Sequence, residues 1–594
     1  MQFFPIITIM AGPSGLREEE IVALLENDDI LSDFSFGESD SENIEDRASD
    51  SSESNSDITD DEDNVGLPTQ PACASEWRNV SNDDPGPSRI IPVTNIDSGP
   101  VLPSSFDSST EPIEFFQLFF DETLYDLIVT ETNIYGNTKR QTQTPPTKRA
   151  RMAAWKECTM TDMKAIIGTV INMGLHPLSD ITDYFSKDWV ASVPFFSDVF
   201  ARDEFLLLFW NLHFTHVPKT DDPSKDRLIK PILQAIREKC KLFYTPHPTV
   251  SVDESTISFK GRISFKIYNP QKPNKFGIKM FVLSDSTNGY IYNFHPYTGK
   301  GTVEQTDILK TTQIVKNLCS SLIKDSMNPP TGYHVYTDRY YTSPELADEL
   351  LKMSMITTGT VMTNRKGLPV EIKKGAGKKM KKGDVLAFRK GDQLALSWKD
   401  KRVVTMLSTK HTGSKNDMTP VPSKNLNHPP TMKPNVIVEY TKHMGGVDRS
   451  DHFIASYQFM RRTRKWYRKV FFWLLEVSVV NSYLLYVTLL NSQHKKPLTH
   501  KQFRQRLVLS LVQDRMTSRN LDIKRPGRPI QGPPDERLTG RHFMKRREKG
   551  KGRCVVCLKN GERKETIYFC NTCARKPYLH PDDCFEIFHT RRNY

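Results

Sequence analysis

Acidic side chains interrupt the strand-like segments in the middle of this chain. Residues 249–258, TVSVDESTIS, alternate apolar and polar side chains as a half-buried strand does, and they carry Asp253 at their centre. Residues 332–338, GYHVYTD, alternate in the same way and end on Asp338. Because Asp is depleted in strands, these positions predict a sheet whose carboxylates serve a function.

A third acidic element follows a Gly-Gly turn. In NVIVEYTKHMGGVDRSD, residues 435–440 predict a strand, and the following residues predict a helix in which Asp448 and Asp451 share one face. A single acidic residue beside a strand end is usually a turn former or a cap. Three such elements favour a cluster of carboxylates.

Clustered carboxylates require a counter-charge. Like charges a few ångströms apart repel strongly in a partly desolvated site. Oxygen ligands with open positions select Mg²⁺ or Mn²⁺, and two such ions about 4 Å apart activate a water or a 3′-OH in phosphoryl transfer. The cluster therefore predicts a phosphoryl-transfer enzyme.

The charge of the chain is divided between an acidic arm and a basic remainder. Residues 1–110 hold 24 acidic and four basic side chains, so the rest of the 594 residues carries a net charge of +31 and the whole chain +11. Such a polycation suits a phosphate polymer, and the composition of the arm predicts disorder as far as residue 107. No run of 18 apolar residues occurs, so no membrane-spanning segment is predicted.

Basic residues are dense around each predicted carboxylate. Lys and Arg on phosphates provide affinity without choosing a sequence, although a single basic cluster is often only a solvated face. Trp466 either stacks on an unpaired base or joins the core, and the sequence leaves both roles open. The predicted DNA-binding residues are Arg262, Lys275, Lys279, Arg365, Lys366, Arg461, Arg462, Arg464 and Trp466.

Five of the nine cysteines lie within residues 554–584. Two CxxC pairs twelve residues apart, followed by further His and Cys, are typical of zinc sites. Seven ligands predict two Zn²⁺ ions in an interleaved finger, with Asp582, Asp583 or a water in the eighth position. A PHD-like finger that binds a peptide is the alternative. The predicted ligands are Cys554, Cys557, Cys570, Cys573, His580, Cys584 and His589.

Several stretches, taken in order, resemble the piggyBac transposases. They are SVDESTISFKGR, YNPQKPNKFGIKMF, YTDRYYTSPEL, GTVMTNRKGLP, YTKHMGGVDRSD and the cysteine-rich C-terminal segment. The resemblance covers residues 108–594. It implies an RNase H-like core in which Asp253, Asp338 and Asp448 form a DDD triad, with Asp451 as a further required acidic residue.

The resemblance also implies a reaction and partners. Water would nick double-stranded DNA at a transposon end, the freed 3′-OH would close a hairpin there, and the reopened end would join target DNA at TTAA. The cysteine-rich module would bind the terminal inverted repeats, and a homodimer would hold two ends together. The expected location is the nucleus. The basic segment at 145–155 resembles a nuclear-import signal, although so few charges are equally typical of a solvated loop.

Two other functions stay open at this point. A host-adopted derivative would bind DNA without transposing, and a recent adoption would leave the carboxylates intact. An RNase H-like nuclease that does not transpose explains the triad, but it explains neither the ordered motifs nor the finger. A metal-dependent DNA transposase is therefore the expected enzyme.

The expected fold is α/β, with an RNase H-like core, a β-rich insertion, a helical domain around them and a small zinc-binding module. The predicted organisation is a disordered acidic region (1–107), a helical dimerisation and DNA-binding domain (108–247 and 457–518), the catalytic core (248–362 and 433–456), the insertion (363–432), a basic linker (519–552) and the zinc-binding module (553–594).

Overall fold

The computed structural model describes most of the chain beyond residue 75. The described residues are 76–142, 151–188, 190, 192–270, 275–299, 301–303, 307–323, 329–375, 379–414, 416–422, 430–459, 461, 463–522, 538 and 541–591. The acidic arm as far as residue 75, residues 145–150 of the basic segment and Arg462 lie outside them.

Helices flank a block of strands, and a small mixed module follows. The helices are α1 (Pro112–Gln117), α2 (Glu122–Thr142), α3 (Met160–Leu175), α4 (Pro194–Val199), α5 (Arg202–Asn211), α6 (Lys230–Leu242), α7 (Lys310–Ser320), α8 (Pro344–Lys352), α9 (Val370–Lys373), α10 (Asn435–His443), α11 (Gly446–Tyr457), α12 (Trp466–Ser492), α13 (His500–Asp522), α14 (Val555–Lys559) and α15 (Asp583–Thr590). The strands are β1 (Arg78–Asn79), β2 (Gly99–Pro100), β3 (Tyr244–Thr245), β4 (Thr249–Ser258), β5 (Ile267–Tyr268), β6 (Phe276–Asp285), β7 (Ile291–Pro296), β8 (His334–Thr337), β9 (Ile356–Thr360), β10 (Val385–Lys390), β11 (Gln393–Lys399), β12 (Val403–Ser408), β13 (Met418–Val421), β14 (Thr431–Pro434), β15 (Met544–Arg546), β16 (Gly552–Arg553), β17 (Glu565–Thr566) and β18 (Tyr568–Cys570).

A ten-stranded sheet forms the core of the predicted catalytic region. Its central order is β7-β6-β4-β8-β9, in which β4, β6 and β7 pair antiparallel, whereas β8 and β9 run parallel to β4. Three antiparallel strands followed by two parallel strands are the RNase H-like arrangement, so the predicted fold class is confirmed. This order brings the C-terminal end of β8 beside the middle of β4.

The strands of the insertion continue the same sheet. β12 pairs antiparallel with β9, and β11 and β10 follow outwards. β1, from the N-terminal side of the chain, closes the far edge against β10. The insertion and the catalytic core therefore share one sheet and its hydrogen bonds.

Residues 76–107, for which disorder was predicted, contain ordered segments: residues 78–84 lie against this sheet, and β2 pairs with β3. Asp84 forms an ion pair with Arg389 of β10, and the two side chains are 0% and 7% exposed. Thr94 forms a β-bridge with Thr331. A single buried ion pair and a two-residue strand leave no periodic signal in a sequence, so composition alone indicated disorder.

Residues 435–440 belong to helix α10, so the strand predicted there is wrong. The β-branched pair Val436 and Ile437 favours a strand. In the structure both side chains are buried in helix α10, and Tyr440 follows Val436 at the spacing of one helical turn. A short apolar run fits either structure. The helix begins after Pro434, which occupies the N-cap.

Helix α12 is the central helix of the helical domain. It is apolar on every side, as a helix buried all round is, and it packs against α1, α6, α11 and α13. In the part of the chain that the structure describes, it is the one helix long and apolar enough to cross a membrane, yet 89% of its most apolar window is buried inside the protein. Helix α12 is therefore a core helix of the protein.

A buried ion pair joins α12 to α13. Arg504 Nη2 lies 2.5 Å from Glu476 Oε2, and the two side chains are 0% and 2% exposed. Arg504 Nε also donates to His500 Nε2 at 2.9 Å. Two residues later, Arg506 Nη1 lies 3.6 Å from Glu111 Oε1, and more than half of each of these side chains is exposed. This exposed ion pair on the same helix is a control for the buried one.

Arg504→Met is expected to lower the free energy of unfolding by about 3–5 kcal/mol, because it leaves Glu476 buried without its partner. Arg506→Met is expected to change it by less than about 1 kcal/mol, since exposed ion pairs contribute little. Urea denaturation followed by tryptophan fluorescence measures both. Equal effects of the two substitutions would contradict the structural role of the buried pair.

Candidate active site and metal-binding clusters

Asp253 and Asp338 lie side by side in the sheet. β4 and β8 pair in parallel as far as Val252 and Thr337, and the next residue of each segment is one of the two aspartates. Burial raises the pKa of Asp253 to about 7, and the charge of Asp338 adds to the effect. Burial, and next the charge of Glu254, also raise the pKa of Asp338. Both carboxyl groups therefore favour either a proton or a cation.

The turn that carries Asp338 is held by short side chains. Thr342 Oγ1 donates to the Asp338 carbonyl at 2.7 Å, and the Tyr340 N–H donates to Asp338 Oδ1 at 2.9 Å. Gly359 on β9 leaves room for this turn, since a Cβ there would lie 2.2 Å from Thr342 Oγ1. Helix α8 follows with Ser343 as its N-cap.

Helix α11, which carries Asp448 and Asp451, packs on β4. Its first residue, Gly446, packs directly on the sheet, because a Cβ there would lie 2.4 Å from Ser251 Oγ on β4. Asp451 accepts a hydrogen bond from Ser255 Oγ, also on β4, at 2.6 Å. The helix and the strand are therefore fixed to each other on both sides of Asp448.

Tyr440 on α10 interacts with all three aspartates of the predicted triad. Burial raises its pKa to about 12, and the charges of Asp338, Asp253 and Asp448 all act in the same direction. Its hydroxyl lies 3.5 Å from Thr360 Oγ1 on β9. All three aspartates therefore lie close enough to Tyr440 to act on its hydroxyl electrostatically. The sequence did not single out Tyr440.

Asp253→Asn is expected to stabilise the protein in EDTA, more at pH 8 than at pH 5. The folded-state pKa of about 7 lies above the ordinary value of 3.8, so ionisation opposes folding and stability falls as pH rises through this window. At ~1.4 kcal/mol per pH unit, the amide removes an unfavourable contribution of up to about 4 kcal/mol. Thermal melting measures the effect. A lower melting temperature of the variant at pH 8 would contradict a buried, repelled carboxylate.

Lys279 and Arg365 are the predicted DNA-binding residues beside the carboxylates. Lys279 Nζ lies 3.8 Å from Glu254 Oε1 and 4.8 Å from the centre of the Tyr340 ring. Arg365 donates to the Tyr340 carbonyl through Nη2, while its Nε is buried and has no hydrogen-bond partner among the described residues. Two cations therefore flank the turn that follows Asp338.

The other predicted DNA-binding residues occupy different settings. Arg461 donates to the carbonyls of Leu178 and Ser179, so its guanidinium holds a loop of the helical domain. Trp466 is half-buried and packs edge-on against Phe265, with ring centres 5.2 Å apart. Four of the predicted residues are exposed, namely Arg262, Lys275, Lys366 and Arg464. DNA contact by these side chains stays a prediction.

Two compact groups of Cys and His lie in the C-terminal module. The four ligand atoms of each group lie within 4.8 Å of one another. Because the groups draw on alternating parts of the chain, they are interleaved. Among the described residues no third group is this compact, so the three aspartates are more widely spaced. One group is Cys554, Cys557, His580 and Cys584, and the other is His542, Cys570, Cys573 and His589.

Distances within the groups match the edges of a tetrahedral metal site. Cys557 Sγ lies 3.7 Å from Cys584 Sγ. Cys573 Sγ lies 3.5 Å from both His542 Nδ1 and His589 Nε2. Metal–sulfur bonds of about 2.3 Å and metal–nitrogen bonds of about 2.0 Å give sulfur–sulfur edges of about 3.8 Å and sulfur–nitrogen edges of about 3.5 Å. The donor sets therefore fit tetrahedral ions.

His542 is the ligand that the sequence analysis missed. It occupies the eighth position in place of Asp582 or Asp583. Its ring stacks on that of His589 at 4.1 Å, and His589 Nδ1 lies 2.8 Å from the Phe585 carbonyl, which leaves Nε2 for a metal. Two tetrahedral ions require eight donors, and His542 is the nearest histidine before the first cysteine of the module, which was the available signal.

Comparison with known proteins gives both family models and relatives. A model described as Transposase IS4 matches residues 111–483, more than half of the chain, and a model described as a DDE_Tnp_1-like zinc finger matches residues 537–590. Human PiggyBac transposable element-derived protein 3 is 26% identical over 465 residues, covering 78% of this chain and 74% of that protein. Human PiggyBac transposable element-derived protein 2 is 24% identical over 413 residues, covering 66% and 64%.

A solved structure is similar to the fold described above. The cryo-EM structure of the piggyBac transposase synaptic complex with hairpin DNA aligns with a TM-score of 0.61 at 23% identity, covering 79% of this chain and 95% of that chain. At this identity the likeness concerns the fold. With the family models and the relatives, it establishes that the chain belongs to the piggyBac transposase-like family.

Proposed function

We propose that the protein is a metal-dependent cut-and-paste DNA transposase. Water attacks a phosphodiester at a terminal inverted repeat, and the freed 3′-OH attacks the opposite strand to close a hairpin on the transposon end. After the hairpin opens, the 3′-OH attacks target DNA at TTAA. The observation that carries this proposal is the convergence of Asp253, Asp338 and Asp448 from two strand segments and one helix.

The three aspartates fit a divalent-cation site. Burial and the neighbouring charge of Asp338 raise the pKa of Asp253 to about 7, an effect that a bound cation would reverse. Asp253, Asp338 and Asp448 would hold Mg²⁺ or Mn²⁺, which when bound activates an attacking hydroxyl and stabilises the leaving oxygen. Asp451, held by Ser255, adds negative charge at the edge of the site.

Lys279 and Arg365 are suited to hold the DNA backbone beside the aspartates. Arg365 offers a buried Nε with no partner among the described residues, and both cations lie next to the turn after Asp338. Such contacts fix the position of DNA without reading its sequence. Trp466 is suited to stack on an unpaired base of the hairpin. Further phosphate contacts are proposed for Arg262, Lys275, Lys366, Arg461, Arg462 and Arg464.

The C-terminal module is proposed to bind two Zn²⁺ ions and to recognise the terminal inverted repeats. Thiolates and imidazoles in tetrahedral sets are the donors that structural zinc takes. The basic segment 545–553 is largely exposed, and this favours DNA over a peptide as the ligand of the module.

The proposed reaction also sets the assembly and the location of the protein. Two transposon ends must be held together, which a homodimer of this chain would do. Chromosomal DNA as substrate requires a nuclear location. The similar piggyBac transposase structure is a synaptic complex with hairpin DNA, and this supports both the paired ends and the hairpin.

A host-adopted DNA-binding protein without transposition is the second candidate. The names of the two human relatives, each a transposable element-derived protein, favour it. Both candidates use the zinc-binding module and the basic surface. They differ in whether the aspartates cut DNA.

An excision assay separates the two candidates. A plasmid carries candidate terminal repeats from the sequence that surrounds the coding region, flanked by TTAA, within a reporter. We expect the wild-type protein to remove the insert and leave the donor site intact, and Asp448→Asn to be inactive. A wild-type protein that binds these repeats in vitro but never excises them would support the host-adopted candidate.

A further inference from the structure

A closed ring of polar side chains lies between the active-site strands, the insertion and helix α10. Buried polar groups are costly unless each finds a partner, and a fully satisfied network makes its surroundings rigid. None of its members is a triad residue or a predicted DNA contact. The members are His334 and Tyr336 of β8, Thr358 of β9, Ser408 of β12, His411 of the following loop and Glu439 of α10.

The first half of the ring crosses the sheet. The Tyr336 hydroxyl lies 2.9 Å from His334 Nδ1, and His334 Nε2 lies 2.9 Å from Thr358 Oγ1. Thr358 Oγ1 lies 2.8 Å from Ser408 Oγ. The side chains of His334, Thr358 and Ser408 are buried. These contacts run from β8 across β9 to β12 and thus join the core to the insertion.

The second half returns through the loop and the helix. Ser408 Oγ lies 2.8 Å from His411 Nδ1, and His411 Nε2 hydrogen-bonds Glu439. Lys410 pairs with the other oxygen of the same carboxylate. These contacts carry the ring from β12 to helix α10.

An aromatic contact closes the ring on β8. The ring of His443, one helical turn after Glu439 on α10, stacks on the ring of Tyr336 with centres 5.2 Å apart and planes 25° from parallel. Residues four apart share a helix face. One face of α10 is therefore held on the insertion by Glu439 and on β8 by His443, which stacks two residues before Asp338.

The triad is carried by three elements: β4, the segment of β8 and helix α11. The distance between each pair of these elements must be fixed if the three carboxylates are to bind a metal together. β4 and β8 are fixed by backbone hydrogen bonds. α11 is fixed on β4 by the close packing of Gly446 and by the bond between Ser255 and Asp451. The remaining side of this triangle joins β8 to the α10–α11 pair, and the ring of polar side chains spans it.

We propose that this ring is a positioning device that sets the separation of Asp338 and Asp448 for metal binding, with Glu439 and His411 as its key positioning residues. The inference rests on the proposed function of the triad. It also gives the insertion a role in the active site, since Ser408 and His411 come from the insertion yet touch neither metal nor DNA in this role.

The test uses the full-length protein and Mn²⁺ as the probe. Glu439→Ala and His411→Ala each break the ring, and Glu439→Gln keeps a hydrogen-bonding group of the same size. We expect the Mn²⁺ concentration for half of the metal-induced rise in melting temperature to increase about 10–100-fold in both alanine variants, as for other partners of metal ligands. The Gln variant should lie between, and the double alanine variant should be no worse than either single one.

Glu349→Ala is the matched control. Glu349 is also a carboxylate on a core helix, α8, and it also has two basic partners, Lys316 at 2.6 Å and Lys352 at 2.5 Å. Its loss should leave unchanged the Mn²⁺ midpoint, which is the Mn²⁺ concentration for half of the rise in melting temperature. The positioning role would be overturned if this midpoint increased equally in the control. It would also be overturned if the midpoints of the ring variants stayed within about twofold of the wild-type value.

A second readout separates this inference from the proposed function. The same variants are measured for Mn²⁺-dependent cleavage of a terminal-repeat duplex. If wild-type protein binds Mn²⁺ but cuts no DNA, the proposed function fails and the melting experiment still decides on the ring. If wild-type protein cuts the duplex and the ring variants need no higher Mn²⁺ concentration for the same cleavage, the positioning role alone is refuted. A wild-type protein without any response to Mn²⁺ would overturn both.

Discussion

Asp338→Asn is expected to slow DNA cleavage by on the order of 10³-fold or more. A lost metal ligand removes several kcal/mol of transition-state stabilisation, and each ~1.4 kcal/mol is a factor of ten in rate. DNA binding should not weaken, because the substitution removes a negative charge next to a phosphate path. Single-turnover cleavage of a terminal-repeat duplex measures the rate, and a gel shift in EDTA measures the binding.

Asp285→Asn is the contrasting variant. Asp285 also ends a strand, β6, but its fully buried carboxylate accepts hydrogen bonds from the backbone N–H groups of His247 and Thr287 and from the Tyr244 hydroxyl, at 2.7–2.9 Å. Its replacement should lower stability and leave the cleavage rate of the folded protein near that of the wild type. An equal loss of rate in both variants would mean that Asp338, too, acts only through the fold.

Loss of zinc is expected to abolish recognition of the terminal repeats while salt-sensitive, nonspecific DNA binding persists. Structural zinc contributes about 10–16 kcal/mol in small finger peptides, so the C-terminal module should unfold without it. Cys570→Ser and His542→Ala each remove a ligand of the same group and should release the ion of that group. Elemental analysis of the purified variants measures the zinc, and competition gel shifts measure the recognition.

Asp582→Asn and Asp583→Asn are the matched controls for this experiment. The sequence made both residues candidates for the eighth ligand, whereas the structure has His542 in that place. Asp582 has a φ of +64°, a conformation that Asn also tolerates. Both variants should keep their zinc and their recognition of the repeats. Loss of zinc from either one would contradict the assignment of His542.

The sequence predicted the positions of the catalytic strands but not every element around them. Alternation of apolar and polar residues alone located β4 and the segment of β8, although all four residues of β8 are buried. Their parallel pairing, which makes Asp253 and Asp338 neighbours, is a long-range property and came only from the family resemblance. Asp285 shows why local pattern is insufficient, since it too ends a strand and yet serves as a buried acceptor.

The elements that were missed depend on single contacts between distant residues. The ion pair of Asp84 and Arg389 orders part of a low-complexity arm, and no local pattern announces it. The run at 435–440 reads equally well as strand or helix, and packing on the sheet decides for the helix. His542 lies outside the cysteine cluster in sequence, and only the count of eight donors points to it.

The most direct test of a metal-dependent cutting site built from Asp253, Asp338 and Asp448 is the product that the wild-type protein forms on an end-labelled terminal-repeat duplex in Mn²⁺. On a denaturing gel we expect a nicked strand followed by a hairpin on the transposon end, and neither product in EDTA or with Asp448→Asn. Cleavage that persists under either of these conditions, or no cleavage by wild-type protein that binds both the duplex and Mn²⁺, would contradict the site.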